Sequence, residues 1–475
     1  MTLQTTAAQE ADPSADGDDS TLTYPAAFFA QYSPVSVNDM LDRIPGIQLV
    51  LDFNESSIGN NADRGLGATS QILIDGRRLA GKANEAQNQL NRIAATEVDY
   101  IEIVRGSSSS LDVQNSGTLV NIVLLEAQSR YSLSTEVGMR HFTDGNVEPE
   151  ARLSLTGQRG RFSYLVSGDV NPGYRIEETL ELSIYPDESF NEIVNLERKT
   201  DQTNYNFNAN MSWDFTPRDR LALNALFGES DPPQTVLRRF TDFNGASPTV
   251  RYQSERNPAS AYNWEIGGDY QHTFANNARY KFLFIVNDKI DESTRQRFDF
   301  QNPGDPEIPN LFLDTERGYS ENIVRTSYTW NVAADHGLEL GVEWAKTTQD
   351  SALRLGLPIP GERSPEFGGL TPVPLPNAVT TVEERRYEGF AIHNWRINPK
   401  MSLESSIVAE FSEIEQTGDV DNTRDFEFIK PKLDYRFDIN SSFQLRLSLE
   451  RDVEQLSFAD FSANTNTRDE DQDTI

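Results

Sequence analysis

The chain has 475 residues, no cysteine and a formal net charge of −32. This charge argues against a nucleic-acid partner, because phosphate binding needs a surface rich in Lys and Arg. The lack of cysteine excludes disulfides and thiolate metal sites, and no apolar run reaches the roughly twenty residues of a transmembrane helix.

The first 127 residues predict a disordered segment and then a small mixed domain. Residues 1–20 are rich in Ala, Asp and Ser and show no periodicity, which is typical of disorder. Apolar residues at helical spacing in 36–44 predict a helix that ends before Pro45-Gly46. Short apolar segments follow, at 72–74, 90–95, 98–104 and 119–125. They predict a small α+β domain of roughly one hundred residues, which is an ordinary domain size.

From Tyr131 onward the sequence alternates between apolar and polar residues, as strands with one apolar face do. The clearest case is 204–215, where Asn, Ser and Asp separate Tyr205, Phe207, Met211 and Trp213. Short turns are predicted at Arg159-Gly160, Thr216 to Asp219, Ala275 to Ala278, Ala334 to Gly337, Asn398 to Lys400 and Asn440 to Ser442. Long polar segments, predicted as loops, occupy 171–202, 230–261, 300–319 and 348–381. Short turns that alternate with long loops favour an antiparallel transmembrane β-barrel of the outer-membrane type.

Aromatic residues precede the short turns at equivalent places, namely Phe215, Phe274, Trp330, Trp395 and Phe437. In a soluble sheet such residues would be core, but their recurrence favours the aromatic girdle of a membrane barrel. Charged residues lie on the opposite phase, which we assign to the lumen: Glu404, Glu410, Lys432, Asp434 and Arg436. The predicted tally is about thirteen strands, whereas single-chain bacterial barrels close with an even number. Residues 128–475 are therefore expected to form a partial, truncated barrel.

Several segments ahead of the barrel resemble the plug of a TonB-dependent outer-membrane receptor. They are 39–46 (DMLDRIPG), 64–67 (RGLG), 72–79 (ILIDGRRL), 90–93 (LNRI), 98–106 (VDYIEIVRG) and 121–123 (NIV). The resemblance implies a disordered leader at 1–32, a plug domain at 33–127 and a barrel of twenty-two strands in the whole receptor. The segment 107–115 departs from the family pattern, which normally has a Tyr-Gly turn after the Arg-Gly pair.

The resemblance also implies roles for particular residues. The segment Leu22, Thr23, Tyr24, Pro25 and Ala26 is similar to a TonB box, the strand that an energy-transducing TonB-type protein pulls on; an unbound disordered tail is the alternative. Plug-to-barrel contacts are implied for Arg64, Gly65, Arg105 and Gly106, the arginines pairing with barrel glutamates; solvated surface arginines are the alternative.

No catalytic residue, cofactor or metal site is predicted, because the sequence lacks the common hydrolase, zinc-protease and nucleotide-binding motifs. The expected function is energised import of a siderophore, a cofactor or an oligosaccharide through the outer membrane of a Gram-negative bacterium. The expected partners are a TonB-type protein, membrane lipid and a small extracellular ligand. The alternative is an outer-membrane or cell-surface binding or adhesion protein without active transport.

Overall fold

The computed structural model describes residues 21–44, 72–74, 90, 93, 95–105, 118–125, 129–398, 400–440, 443–451, 453 and 456–461. The first part contains β1 (Thr21–Pro25), α1 (Ala26–Phe29), α2 (Val37–Leu41), β2 (Ile72–Ile74), β3 (Val98–Arg105) and β4 (Thr118–Leu124). Short 3₁₀ segments lie at Ala30–Tyr32, Ala95–Glu97, Pro365–Phe367 and Phe458–Phe461. Within these ranges, no helix combines the length and apolar character that crossing a membrane requires.

The rest of the described chain is almost entirely strand. Its strands are β5 (Ser129–His141), β6 (Val147–Arg159), β7 (Phe162–Pro172), β8 (Arg175–Ile184), β9 (Phe190–Thr200), β10 (Thr203–Thr216), β11 (Asp219–Asp231), β12 (Gln234–Asp242), β13 (Thr249–Asn257), β14 (Ala259–Thr273), β15 (Arg279–Phe300), β16 (Ile308–Ala333), β17 (His336–Leu357), β18 (Thr371–Val373), β19 (Val379–Asn398), β20 (Met401–Gly418), β21 (Asn422–Asn440) and β22 (Phe443–Glu450).

The first four strands form one small sheet in the order β1-β3-β4-β2, with β2 parallel to β4 and the other pairs antiparallel. Its core includes Phe29, Met40, Leu41, Ile101 and Ile122, each no more than 1% exposed. The small α+β domain that the sequence predicts is therefore present.

Residues 21–32 belong to this domain, so the prediction that they are part of a disordered leader is wrong. β1 pairs with β3 over its whole length, from Thr21 opposite Val104 to Pro25 opposite Tyr100. The cause is the apolar content of the segment, because Tyr24 and Phe29 enter the domain core and bury their rings there. Residues 1–20, also assigned to that leader, lie outside the described residues.

The later strands form one antiparallel ladder. Thirteen strands of the described chain each pair with the next in one unbroken series. Their order is β5-β6-β7-β10-β11-β14-β15-β16-β17-β19-β20-β21-β22. This agrees with the predicted tally, and adjacent strands meet at all six predicted short turns. The fold class, a small α+β domain followed by a long antiparallel sheet, is confirmed.

The four long polar segments were predicted as loops, and that prediction is largely wrong. β8, β9, β12 and β13 continue the ladder beyond β7, β10, β11 and β14. β15 and β16 extend into 300–319, and β17 and β19 extend into 348–381, which leaves 301–307, 358–370 and 374–378 outside the strands. Backbone pairing satisfies N–H and C=O groups whatever the side chains are, so a polar sequence can remain strand without a continuous apolar face.

The ladder has two chemically different faces. On β10, Tyr205, Phe207 and Trp213 are 47–51% exposed, whereas Asn208 between them is fully buried. We call the side of the aromatic residues the exposed face and the side of Asn208 the inward face. The inward face carries buried polar and charged side chains on strand after strand, including Asn224, Glu265, Glu321, Glu343, Arg386, Glu410 and Asp434. A soluble protein normally shows the reverse arrangement.

Candidate functional site

The TonB-box-like segment lies at one end of the small sheet. Leu22 to Pro25 lie in β1, and Ala26 begins α1. Tyr24 is 6% exposed, and its ring lies 5.3 Å from that of Phe28 and 6.3 Å from that of Phe29, measured between centroids. Since β1 ends the strand order, one of its edges has no strand partner among the residues described. The segment is therefore ordered in the domain and still presents an edge to which another strand could add.

The helix α2 is fixed by its first turn. The Ser36 hydroxyl accepts from the Asp39 backbone N–H, and the Asp39 carboxylate accepts from the Ser36 N–H at 2.9 Å, which completes a capping box. Burial acts to raise the pKa of Asp39, but the N–H groups of Ser36 and Val35 outweigh it, and the pKa lies below the ordinary 3.8. This carboxylate consequently stays ionised and holds α2 in place at neutral pH.

The predicted plug-to-barrel contacts can be located only in part. Arg64, Gly65, Gly106 and the Arg105 side chain lie outside the described residues. The Arg105 backbone is the last residue of β3 and pairs with Thr118 of β4. The pairing of these arginines with barrel glutamates stays a prediction.

A connected set of charges crosses the inward face of five neighbouring strands. This inward ion-pair network consists of Arg325 on β16, Glu343 on β17, Arg386 and Glu388 on β19, Glu410 on β20 and Lys430 on β21. Arg386 lies 3.0 Å from Glu343 and 3.4 Å from Glu388, and Lys430 lies 2.5 Å from Glu410. Each carboxylate is paired with at least one cation, so the network joins the five strands through opposite charges.

A second buried carboxylate lies where the long strands extend past the first ladder. Glu255 on β13 accepts from Arg238 at 2.5 Å and from both Nε and Nη2 of Arg295, and its side chain is only 3% exposed. The neighbouring Gln253 donates to Asp299 at 3.2 Å. Two guanidinium groups on one carboxylate fix β12, β13 and β15 to one another.

The turn between β5 and β6 is tied to the point where β7 passes into β8. The Tyr174 hydroxyl donates to the Asp144 carboxylate, and the Phe142 and Tyr174 ring centroids are 4.6 Å apart. The hydrogen bond from Tyr174 is the main cause that holds the pKa of Asp144 below its ordinary value. Lys199 lies over the same tyrosine ring at 5.0 Å. This cluster connects three segments at the edge of the sheet away from the short turns.

The five predicted girdle residues all lie on the phase of the exposed face, beside short turns. Phe215 contacts Trp213, Phe274 contacts Tyr328, Trp330 contacts Tyr328 and Trp395 contacts His336, at ring-centroid distances of 4.7–5.8 Å. Phe437 lies opposite Met401 on β20 and Leu445 on β22. The structure thus places them along one edge of the sheet, and their role at a lipid interface stays a prediction.

Sequence reasoning missed the histidines of this aromatic edge. His336 Nδ1 lies 3.0 Å from His393 Nε2, and His272 stacks edge-on with Phe274 at 4.6 Å. The signal was available, because each histidine lies two residues from a girdle aromatic or beside a predicted turn. Imidazole rings combine an apolar body with a polar edge, as interfacial aromatic residues do.

Comparisons with known proteins agree with this architecture. Residues 14–117 match the model of the TonB-dependent receptor plug domain. The vitamin B12 transporter BtuB of Vibrio cholerae serotype O1 is 24% identical over 140 residues, so the match spans 29% of this chain and only 23% of the transporter.

Two solved structures are similar at low sequence identity. The ferripyoverdine receptor of the outer membrane of Pseudomonas aeruginosa is 12% identical, with 79% of this chain and 50% of that chain covered and a TM-score of 0.44. The ferric-catecholate import receptor Fiu of E. coli is 10% identical, with 90% and 84% covered and a TM-score of 0.31. Residues 14–117 are thus similar to the plug domain of TonB-dependent receptors, and a long antiparallel sheet follows them.

Proposed function

We propose that the chain is a TonB-dependent receptor of the Gram-negative outer membrane that imports a scarce nutrient by energised transport. One observation carries the proposal: the sheet exposes aromatic and aliphatic side chains and buries charged ones. An exposed apolar face is stable against lipid, and inward charges avoid the roughly 2–4 kcal/mol cost of a Lys or Arg at mid-bilayer depth. The sheet would therefore wrap into a barrel whose inward face becomes the lumen.

The plug would occupy this lumen. Leu165 points to the inward face of β7, is 8% exposed and packs in the same cluster as Phe29, Val37 and Ile101 of the plug. This apolar contact supports a resting state in which the plug lies against the wall. The nutrient, in this proposal, is a siderophore, a cobalamin-like cofactor or an oligosaccharide.

The energy-transducing partner would act on β1. A strand of a TonB-type protein can add to the open edge of β1, with backbone hydrogen bonds giving affinity. Force on this strand would separate it from β3 and withdraw Tyr24 from the plug core. In this proposal, the strand that receives the force is also the one that loosens the plug, so no other part of the chain is needed to couple energy to opening.

The test is nutrient uptake by cells that express the receptor. Radiolabelled ferric siderophore, cyanocobalamin and a maltooligosaccharide serve as probes, each measured for surface binding and for accumulation. We expect one probe to accumulate, with accumulation but not binding lost after a protonophore or after deletion of the TonB-type gene. Accumulation that survives both treatments would refute the proposal, and binding without accumulation in energised cells would favour the binding or adhesion alternative.

A further inference from the structure

A groove opens on the exposed face of the sheet, across β5, β6, β7 and β10. Its volume is about 380 Å³, which lies within the range of sites that hold small ligands. Its lining is largely apolar and includes Val137, Leu153, Gly168, Val170, Tyr205 and Phe207. The groove therefore lies on the side that the import proposal turns toward lipid, opposite the inward face and its charges.

The groove exists because Gly168 has no side chain. In the register of the sheet, Gly168 lies between Leu153 on β6 and Phe207 on β10, whose side chains are about half exposed. A Cβ added at Gly168 would meet the Asn206 carbonyl oxygen at an ordinary 3.6 Å, so there is room above this glycine. A narrow apolar gap between large side chains suits a flexible hydrocarbon chain, because burying methylene groups is favourable and needs no polar partner.

A carboxylate lies beside one end of the groove. Glu229 on β11 is directly opposite Tyr205 on β10 and Tyr262 on β14, and all three side chains are on the exposed face. Side chains directly opposite each other in a sheet are neighbours, so the carboxylate has an aromatic ring on each side. Within the residues described, Glu229 takes part in no ion pair or hydrogen bond.

The depth of Glu229 along its strand fits a headgroup position. β11 has 13 residues and starts at Asp219, beside a short turn, and Glu229 lies close to its other end. A tilted strand of about 9–11 residues crosses a bilayer, so Glu229 falls at the interface opposite the aromatic edge. Phe207 and Gly168 form the adjacent register row on the side of the short turns. A lipid with its headgroup at Glu229 would therefore direct an acyl chain into the groove.

The local charge selects the kind of headgroup. Asp231, the next exposed-face residue of β11, and Glu292, opposite Ser260 on β15, are both exposed carboxylates near the same end. They would repel an anionic headgroup. An ammonium group is attracted by the Glu229 carboxylate and by the faces of the two tyrosine rings.

We propose that Glu229, Tyr205 and Tyr262 bind the ammonium group of a zwitterionic phospholipid, one acyl chain of which fills the groove above Gly168. A tyrosine hydroxyl is the donor for the phosphate of the same headgroup. The inference rests on the outer-membrane location in the proposed function. It concerns the outside of the sheet and not the import path.

The test is lipid retention by the purified full chain in non-ionic detergent, measured by native mass spectrometry. The probes are phosphatidylethanolamine and phosphatidylglycerol with identical acyl chains. Phosphatidylethanolamine should be retained at about tenfold lower concentration, and Glu229→Gln should remove this preference. Glu316→Gln is the matched control, because Glu316 is an exposed carboxylate of the same face that lies opposite Glu292 and Ala352 instead of tyrosines. Equal retention, retention that favours phosphatidylglycerol, or a preference that survives Glu229→Gln would overturn the headgroup site.

The groove is tested by filling it. Gly168→Leu should weaken retention of phosphatidylethanolamine about tenfold, whereas Gly389→Leu, an open position on the exposed face of β19, should leave it unchanged. If Gly168→Leu does not fold, Ala151→Leu fills the same groove from β6. Unchanged retention in the filled variant would overturn the acyl-chain site. All retention is measured on purified protein and import is measured in cells, so failure of one proposal is distinguishable from failure of the other.

Discussion

Arg386 offers a sharp test of the charged inward face. Its side chain is 3% exposed and lies between Glu343 at 3.0 Å and Glu388 at 3.4 Å. In Arg386→Met the volume is largely kept but the central cation is lost. Glu343 then keeps its pair with Arg325 at 3.5 Å, and Glu388 keeps its pair with Lys430 at 3.8 Å.

The expected cost follows from these distances. Breaking a buried pair by removing one partner costs about 3–5 kcal/mol. Because each carboxylate retains a longer contact, we expect a value near the lower limit, about 3 kcal/mol. The measurement is the free energy of unfolding from urea titration in detergent micelles, followed by tryptophan fluorescence.

The adjacent Arg385 is the control. It occupies the opposite face of β19, is 47% exposed and pairs with Glu383 and Glu413. Exposed pairs contribute little to stability, so Arg385→Met should leave the urea midpoint almost unchanged. If the two variants shift the midpoint equally, the two-faced reading of the sheet is refuted.

Three further predictions concern packing, the plug helix and the aromatic edge. A Cβ at Gly341 would overlap the Phe390 ring, so Gly341→Ala should lower the free energy of unfolding by about 1–3 kcal/mol. A Cβ at Gly389 would meet no atom within 4 Å, so Gly389→Ala should leave that free energy unchanged in the same urea titration. Burial acts to raise the pKa of Asp39, but its hydrogen bonds outweigh burial and hold the pKa below 3.8. The stabilisation by this carboxylate is therefore complete above pH 3.8 and is lost as the pH falls through the lower folded-state pKa. Asp39→Asn should remove this part of the acid sensitivity of the plug, measured by amide hydrogen exchange of α2. Trp395→Ala should lower the unfolding free energy in lipid bilayers by about 0.5–1.5 kcal/mol and Trp395→Phe by less, and equal losses would contradict an aromatic role.

Much of the fold follows from local signals in the sequence. The alternation in β10 predicts both faces of that strand correctly, because a strand sends successive side chains to opposite sides. The short turns were equally predictable, since Pro217-Arg218 and Asn276-Asn277 contain the Pro and Asn residues that favour turns. Alternation could not show where β8 and β9 lie, because a polar strand pairs through its backbone and needs no apolar face.

The misread leader has a different cause. Composition marked residues 1–20 as disordered, and the boundary was drawn too late because the first helix signal appears only at Ser36. β1 carries only five residues, and its stability comes from the partner strand β3, about eighty positions away in sequence. Pairing over that separation is invisible to a local window, so burial of Tyr24 could not be predicted.

Asn208 shows what periodicity leaves open. The sequence identifies Asn208 as a member of the polar face, but it does not say whether water, another protein domain or a neighbouring side chain covers that face. The structure places Leu165 of the same wall in the plug core and leaves Asn208 buried beside it, unpaired among the described residues. An unmet amide is a local cost that natural interiors rarely accept without water or function.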